Sequence, residues 1–279
     1  MNTQNNTTVR VTVLGCRGSV PVSDDQMRVF GGSTSAYMIE ADGGVLFLDA
    51  GSGILKAAPA MIPSDSVQLL LTHTHIDHIL GMPFFLMGAC RGKQLHIYGK
   101  TQNGLTVREQ LSRFFSPPLW PVGLEDYKET GLYFHELQTA DDSSCPLLQG
   151  PFRVWCMESA HPGGALVYRV EAKGRRIVLA TDYEHGSGAD RALEEFARGC
   201  DLLLYDSQYV SEEMKDKKGF GHSTEDAGLK IFLSAGGKRI RFIHHDPCMT
   251  DAQLLRREKR IQTICPEAAF AREGETVEL

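Results

Sequence analysis

Between Thr72 and His78 the chain reads Thr-His-Thr-His-Ile-Asp-His, directly after the apolar run 67–71. Three imidazoles and one carboxylate so close together restrict the chain to folds that can gather them round a cation. Packed without one, they repel when charged and leave lone pairs unsatisfied. If 67–71 is a strand, period-two alternation puts His73 and His75 on one side, and Asp77 and His78 swing round behind them. A single histidine is a weak sign of a ligand, but this set after a buried strand points to a two-metal site.

Short β-rich runs at 9–14, 35–39, 45–48, 67–71 and 95–98 are separated by Gly, Pro and Asp turns. Helices are expected at 53–61 and 105–115, the second stopped by Ser116-Pro117-Pro118. Further strands are expected at 132–136, 153–158, 165–170, 176–181, 202–205 and 240–244, further helices at 190–198, 224–235 and 250–263, and a closing hairpin over 268–279. Many strands with few helices indicate an α/β fold in which two sheets pack face to face under outer helices, a four-layer αββα sandwich. No linker divides residues 1–279 and no strong internal repeat is visible, so one domain is expected, with the polar stretch 1–8 as a disordered tail.

Residues 1–8 lack the basic and apolar regions of a signal peptide, and no run is long enough to span a bilayer, so the expectation is a soluble, cytoplasmic protein without membrane contact. The seven cysteines are odd in number, widely spaced and without a Cys-x-x-Cys pair, so neither a disulfide framework nor a zinc ribbon is indicated; Cys16 and Cys248 are read as buried thiols. A net charge of −6 gives no footprint for long nucleic acid, and the basic run Arg256, Arg257, Lys259, Arg260 reads as the solvated face of the last helix.

A two-metal site needs more ligands, and they recur in one context. His161 follows the strand ending at Glu158, Asp182 follows Thr181, and His244 follows Ile243. With these positions the chain resembles the metallo-β-lactamase-fold hydrolases over nearly its whole length. The resemblance implies that His73, His75 and His161 hold one metal, that Asp77, His78 and His244 hold the other, and that Asp182 bridges them. His244 is preferred to the adjacent His245 because it follows its strand as His73 does. Asp49, in Phe-Leu-Asp-Ala-Gly-Ser-Gly, matches the aspartate that orients a ligating histidine, although a turn residue before glycine is the plain alternative.

Gly219-Phe-Gly-His-Ser-Thr224 resembles the His-Ser-Thr motif of the RNase Z-like phosphodiesterase branch, in which His222 would serve the leaving oxygen, while Ser223 or Thr224 would cap the next helix in any case. The loop at Gly15-Cys-Arg-Gly-Ser also resembles that branch; its glycines would let backbone approach the site, and Arg17 is a candidate phosphate contact. RNase Z enzymes carry a tRNA-binding arm between the positions matching His161 and Asp182, and here only two strands and a turn fit. The resemblance therefore implies a phosphodiesterase for a small diester, a cyclic nucleotide or cyclic ribose phosphate. Two divalent ions, Zn²⁺ by donor set with Mn²⁺ or Fe as alternatives, would activate a bridging hydroxide, with Asp77 and His222 as the catalytic side chains. Aromatic residues Phe84, Phe85, Phe114, Phe115 and Trp120 are offered as walls for a base, two of them at most at the site. Small enzymes of the branch are often homodimers. The competing readings are hydrolysis of a carbon ester, thioester, lactone or lactam on the same metals, di-metal redox chemistry, and a non-catalytic metal-bound sensor.

Overall fold

Every residue of Leu202–Asp206 is buried, and Ala36–Ala41 and Arg10–Gly15 are buried at all but one position each. Strands covered on both faces must lie inside a layered protein. The computed structural model describes residues 8–137, 146–148 and 150–279. The expected tail, apart from Thr8, and Cys145 lie outside the described residues.

The first sheet contains β1 (Arg10–Gly15), β2 (Ala36–Ala41), β3 (Gly44–Leu48), β4 (Ser66–Leu70), β5 (Gln94–Lys100) and β6 (Gly131–Leu137). The second contains β7 (Arg153–Ser159), β8 (Ala165–Ala172), β9 (Arg175–Ala180), β10 (Leu202–Asp206), β11 (Ile240–Ile243) and β12 (Ala268–Phe270), while β13 (Thr276–Glu278) returns to the first sheet beside β1. Seven helices accompany them among the described residues: α1 (Ile76–Ile79), α2 (Met82–Met87), α3 (Val107–Phe114), α4 (Asp190–Phe196), α5 (Met214–Lys217), α6 (Glu225–Ala235) and α7 (Asp251–Gln262).

The pairing of β1 to β6 is antiparallel, antiparallel and then parallel three times, and the pairing of β7 to β12 repeats it step for step. The two halves are thus one architecture built twice, although no sequence repeat announces it.

Three apolar layers follow. Leu69, Ile97, Met82, Phe85 and Leu111 fill the space between the first sheet and its helices. Val11, Leu46, Leu70, Leu166, Leu179 and Leu204 fill the space between the sheets. Val178, Leu203, Phe232, Leu254 and Ile261 lie between the second sheet and its helices. The expected αββα order is therefore the one observed. Helix starts carry their own signals: Thr106 and Glu109 form a capping box on α3, and the Thr224 hydroxyl accepts from Ala227 N at the start of α6.

Two expectations fail. Residues 53–61 form no α-helix but two 3-10 turns, Ser52–Lys56 and Pro59–Met61, because Pro59 forces Ala58 into an extended conformation between them. The closing hairpin over 268–279 does not exist either, since β12 extends the second sheet and β13 the first. Hydrogen bonds from Ala271 N to Phe242 O and from Gly274 N to Val13 O carry the chain across from one sheet to the other.

Candidate metal centre

The loops at the ends of β3, β4, β9, β10 and β11 open at one end of the sandwich, and their side chains meet there. Asp49 after β3, Asp182 after β9 and His244 after β11 have φ of 58°, 51° and 59°. Non-glycine residues adopt this left-handed conformation at a cost, which the surrounding hydrogen bonds offset. The bend turns each chain sharply as it leaves the sheet and aims the side chain inward.

His73, His75 and His161 bring one ring nitrogen each within 4.8 Å of one another, and so do the ligand atoms of Asp77, His78 and His244. Asp182 lies between the two groups. Its Oδ1 is 3.8 Å from His73 Nε2 and 3.7 Å from His161 Nε2, and its Oδ2 is 3.1 Å from His78 Nε2 and 3.4 Å from His244 Nε2. One carboxylate oxygen therefore faces each triad. His161 Nε2 lies 3.1 Å from His75 Nδ1, two ring nitrogens turned toward each other. All seven residues expected to be ligands converge.

The cluster fits divalent ions on an observation of its own. His73 Nε2, His78 Nε2 and His244 Nδ1 are buried without a hydrogen-bond partner. Each such atom costs about 1–3 kcal/mol unless something satisfies it. Five imidazoles with two carboxylates are a donor set for a borderline divalent metal.

Charge is distributed unevenly within the cluster. Burial lowers the pKa of His73, and His78 lowers it further, so His73 is neutral; burial also lowers those of His75 and His161. For His244 burial is outweighed by Asp182 and Asp77, which push its pKa up to about 9. His78 is raised in the same way by Asp182, Asp77 and Asp49, against its burial. The carboxyl of Asp77, though burial pushes it up, is held far below the usual range by His78 and His244, and that of Asp182 by His244, His78 and His73. Imidazolium groups thus neutralise the carboxylates where a cation is wanted.

Asp49 is fully buried behind His78 and accepts from its Nδ1 at 2.8 Å. It also accepts from Thr72 N at 2.7 Å, which holds His78 with Nε2 toward the cluster. Burial raises the Asp49 pKa, opposed by His78 and Thr72. Gly18 has no room for a side chain, because a Cβ there would stand 2.4 Å from His244 Nδ1. The backbone does approach the site at that loop, and Ser19 N donates to Asp77 Oδ2 at 2.8 Å.

His222 stacks on His244 with ring centroids 4.9 Å apart and meets His161 edge-on at 5.2 Å. Its Nδ1 is 2.9 Å from Asp206 Oδ2 and 3.9 Å from Asp182 Oδ1. Asp206 was not foreseen. It is fully buried at the end of β10 and accepts from Asp182 N, Gln208 N and Ser223 N as well. The signal was present, since Leu202-Leu-Leu-Tyr-Asp206 repeats the context of His73. Glu184 was missed too; its carboxylate accepts from Gly219 N and Gly221 N at 2.9 Å and so fixes the loop before His222.

Other candidates lie elsewhere. His245 points away, with Nε2 2.9 Å from Ala271 O and its ring against Phe30 and Phe270. Arg17 is no phosphate contact: it is buried, and its guanidinium donates to the carbonyls of Gly31, Asp246 and Met249. The basic run is not simply a solvated face, since Arg257 is buried against Glu225 and donates to Ser207 O and Tyr209 O. Phe85 and Phe115 are core residues, Phe114 and Trp120 pack against that core, and the exposed Phe84 contacts Trp120; the ring beside His222 is that of Tyr209. Cys16 is buried as expected, whereas Cys248 is exposed. No helix among the described residues is long and apolar enough to cross a membrane.

Comparison with known proteins agrees with this architecture. The probable metallo-hydrolase YhfI of Bacillus subtilis is 23% identical over 237 residues, which cover 85% of this chain and 86% of that protein. Ribonuclease Z of Pyrococcus horikoshii is 23% identical over 309 residues, covering 96% of this chain and 95% of the relative. The crystal structure of YhfI, a metallo-beta-lactamase fold protein, superimposes with a TM-score of 0.71 at 20% identity, covering 98% of this chain and all of that one. A family model, the Beta-lactamase superfamily domain, matches residues 45–245, the stretch that contains Asp49, the histidine cluster, Asp182, Asp206, His222 and His244. With that match over most of its length, on a metallo-beta-lactamase fold, the chain belongs to the beta-lactamase superfamily.

Proposed function

We propose that this metal-dependent hydrolase cleaves a small phosphodiester, a cyclic nucleotide or cyclic ribose phosphate, with two divalent ions resident at the cluster. His73, His75 and His161 would hold one ion and Asp77, His78 and His244 the other, with the Asp182 carboxylate between the two sets. Zinc suits the donor set, with manganese or iron as alternatives. When bound, the ions lower the pKa of a water nucleophile and neutralise phosphate oxygens.

The observation that carries the proposal is the His222–Asp206 pair. Asp206 accepts from Nδ1 at 2.9 Å, the same nitrogen that stands 3.9 Å from Asp182 Oδ1, and Nε2 has no partner among the described residues. The pair fixes ring orientation; in the imidazolium form Nδ1–H donates to Asp206 and Nε2–H carries the proton that can go to a departing ribose oxygen. An alkoxide leaving group needs that proton.

Two observations favour a small diester over transfer RNA. Only the β8–β9 hairpin and its tight turn, with Ala172 opposite Arg175, lie between His161 and Asp182. The net charge of −6 is also wrong for a long polyanion. The ribonuclease named among the relatives supports phosphodiester chemistry over acyl chemistry.

The test is metal analysis joined to a substrate panel of cyclic mononucleotides, cyclic dinucleotides and model diesters on one side, and esters, thioesters and lactones on the other. Turnover confined to the diesters is the expected result. Turnover confined to the acyl compounds would overturn the proposal, and none at all with full metal content would restore the sensor reading.

A further inference from the structure

Beside His222 stands a group of side chains for which the metal centre has no use. Tyr209, in the loop after β10, meets the His222 ring edge-on at 5.5 Å. Lys217, the last residue of α5, holds its Nζ 5.2 Å from the centre of the Tyr209 ring and 5.8 Å from that of Phe220. Phe220 is 54% exposed, so its ring is open to a ligand. No carboxylate pairs with Lys217 among the described residues, although the chain as a whole is acidic.

The turn that presents Phe220 is rigid. Glu184 accepts from the amides on both sides of it, Gly219 N and Gly221 N, and Phe220 N donates to Lys217 O at 3.2 Å. Gly221 O is 3.1 Å from His161 Nδ1, which ties the turn to a ligand of the cluster. Gly221 has φ of 85°, and a Cβ there would stand 2.1 Å from His161 Nδ1. The backbone that carries Phe220 is therefore tied to Glu184 and His161 before any substrate arrives, which keeps the ordering cost of binding low.

We infer that Phe220 and Lys217 are specificity residues: a nucleobase stacks on Phe220, and the Lys217 ammonium takes a second phosphate, one nucleotide from the phosphate being cleaved. This rests on the phosphodiesterase reading and, within the small diesters, moves its substrate from a cyclic mononucleotide or ribose phosphate to a dinucleotide, linear or cyclic. The Tyr209 ring touches both groups, 5.2 Å from Lys217 Nζ and 5.5 Å from the His222 ring, so Lys217 is linked to His222 through one aromatic ring and suits a phosphate next to the scissile one. A cyclic mononucleotide has no other phosphate to offer it. A planar base on an exposed phenyl and an anion on an ammonium that no carboxylate engages are partners these two groups can take.

The test compares two dinucleotides, ApA, whose one phosphate is the scissile one, and pApA, which adds a 5′-phosphate. The native enzyme should favour pApA by about tenfold in KM. Lys217→Gln should remove the preference, Lys217→Arg should keep it, and Lys215→Gln, two residues earlier on α5, should keep it too. Phe220→Ala should raise KM for both dinucleotides by about tenfold, and Phe220→Trp should restore it. A preference that survives Lys217→Gln, or is lost equally in Lys215→Gln, would overturn the inference, as would an unchanged KM in Phe220→Ala. If the native enzyme cleaves no diester, the phosphodiesterase reading fails by itself. Equilibrium binding of ApA and pApA to the same variants then decides: the same ranking supports the assignment of Phe220 and Lys217, and equal affinities throughout refute it.

Discussion

Removing the charge of Asp206 while keeping its shape isolates what the pair with His222 contributes. Asp206→Asn should retain both metals and lower turnover by about 10²-fold, as should His222→Ala, because each leaves the proton donor misplaced or absent. The asparagine keeps one acceptor oxygen and turns the other into an NH2 donor, so either Gln208 N and Ser223 N, both on Oδ1, or Asp182 N, on Oδ2, loses its acceptor, and a loss of about 1–3 kcal/mol in stability should appear in denaturant unfolding. Kinetics unchanged in either variant would reduce the pair to a structural bond. Asp77→Ala and Asp182→Ala should instead abolish turnover together with metal content, measured on the same samples, because they empty or split the cluster; full activity with full metal would defeat the ligand assignment. Asp206 could have been read from its strand, as His73 was. It was passed over because the other strand-end residues matched a family motif and it did not, whereas Glu184 acts only on amides that chain folding brings to it.

At the level of elements, the position of His222 depends on how α6 seats on the second sheet. Gly228 in α6 lies against β10, and a Cβ there would stand 2.4 Å from a Tyr205 ring carbon. Tyr205 Oη is 2.9 Å from Ser223 Oγ, next to His222. Gly228→Ala should therefore destabilise the protein by about 1–3 kcal/mol despite its better helix propensity, and turnover should fall with it; a Tm equal to or above that of the native protein would refute the close packing. Strands were legible almost throughout, since buried β-branched and leucine runs bounded by turn residues leave little choice. Two kinds of element were not. The 3-10 turns over 52–61 carry helix-forming residues but are broken by Pro59, and the partners of β12 and β13 are set by opposite sheets, a matter of topology on which local pattern is silent. The short helices α1, α2 and α5 also escaped, being too brief to show a period.

On the scale of the whole molecule, the candidate ligands come from both sheets: His73, His75, Asp77 and His78 follow β4, while His161, Asp182 and His244 belong to the second sheet. An ion held by both halves binds only the folded chain, so chelation should lower Tm, and restoring the metal should raise it again. The dependence on pH follows from His244 and His78. In the metal-free protein the His244 pKa is raised to about 9 by Asp182 and Asp77 against its burial, above the ordinary value of 6.5. That stabilisation is complete below about pH 6.5 and is lost as pH rises through about 9, so the chelated protein should unfold more easily at the alkaline end. Metal binding must expel the same protons, so apparent affinity should rise by about tenfold or more per pH unit between about 6.5 and 8.5, by titration with a competing chelator. A flat profile would mean that His244 is neutral at the outset. The duplicated plan of the two sheets was invisible in the chain, because pairing order is kept by geometry after side-chain similarity has gone.

The three left-handed residues, Asp49, Asp182 and His244, imply something about how such a protein can decay. Each combines a side chain of the candidate metal centre with a backbone bend needed for the fold, and the two demands accept different replacements. Glycine satisfies the bend alone, asparagine satisfies the bend and, at Asp49 and Asp182, adds a neutral imitation of the carboxylate, and alanine satisfies neither. A descendant released from its catalytic duty but still required to fold would drift toward glycine and asparagine at these positions and avoid branched residues. The bends would outlast the chemistry and mark where it had been.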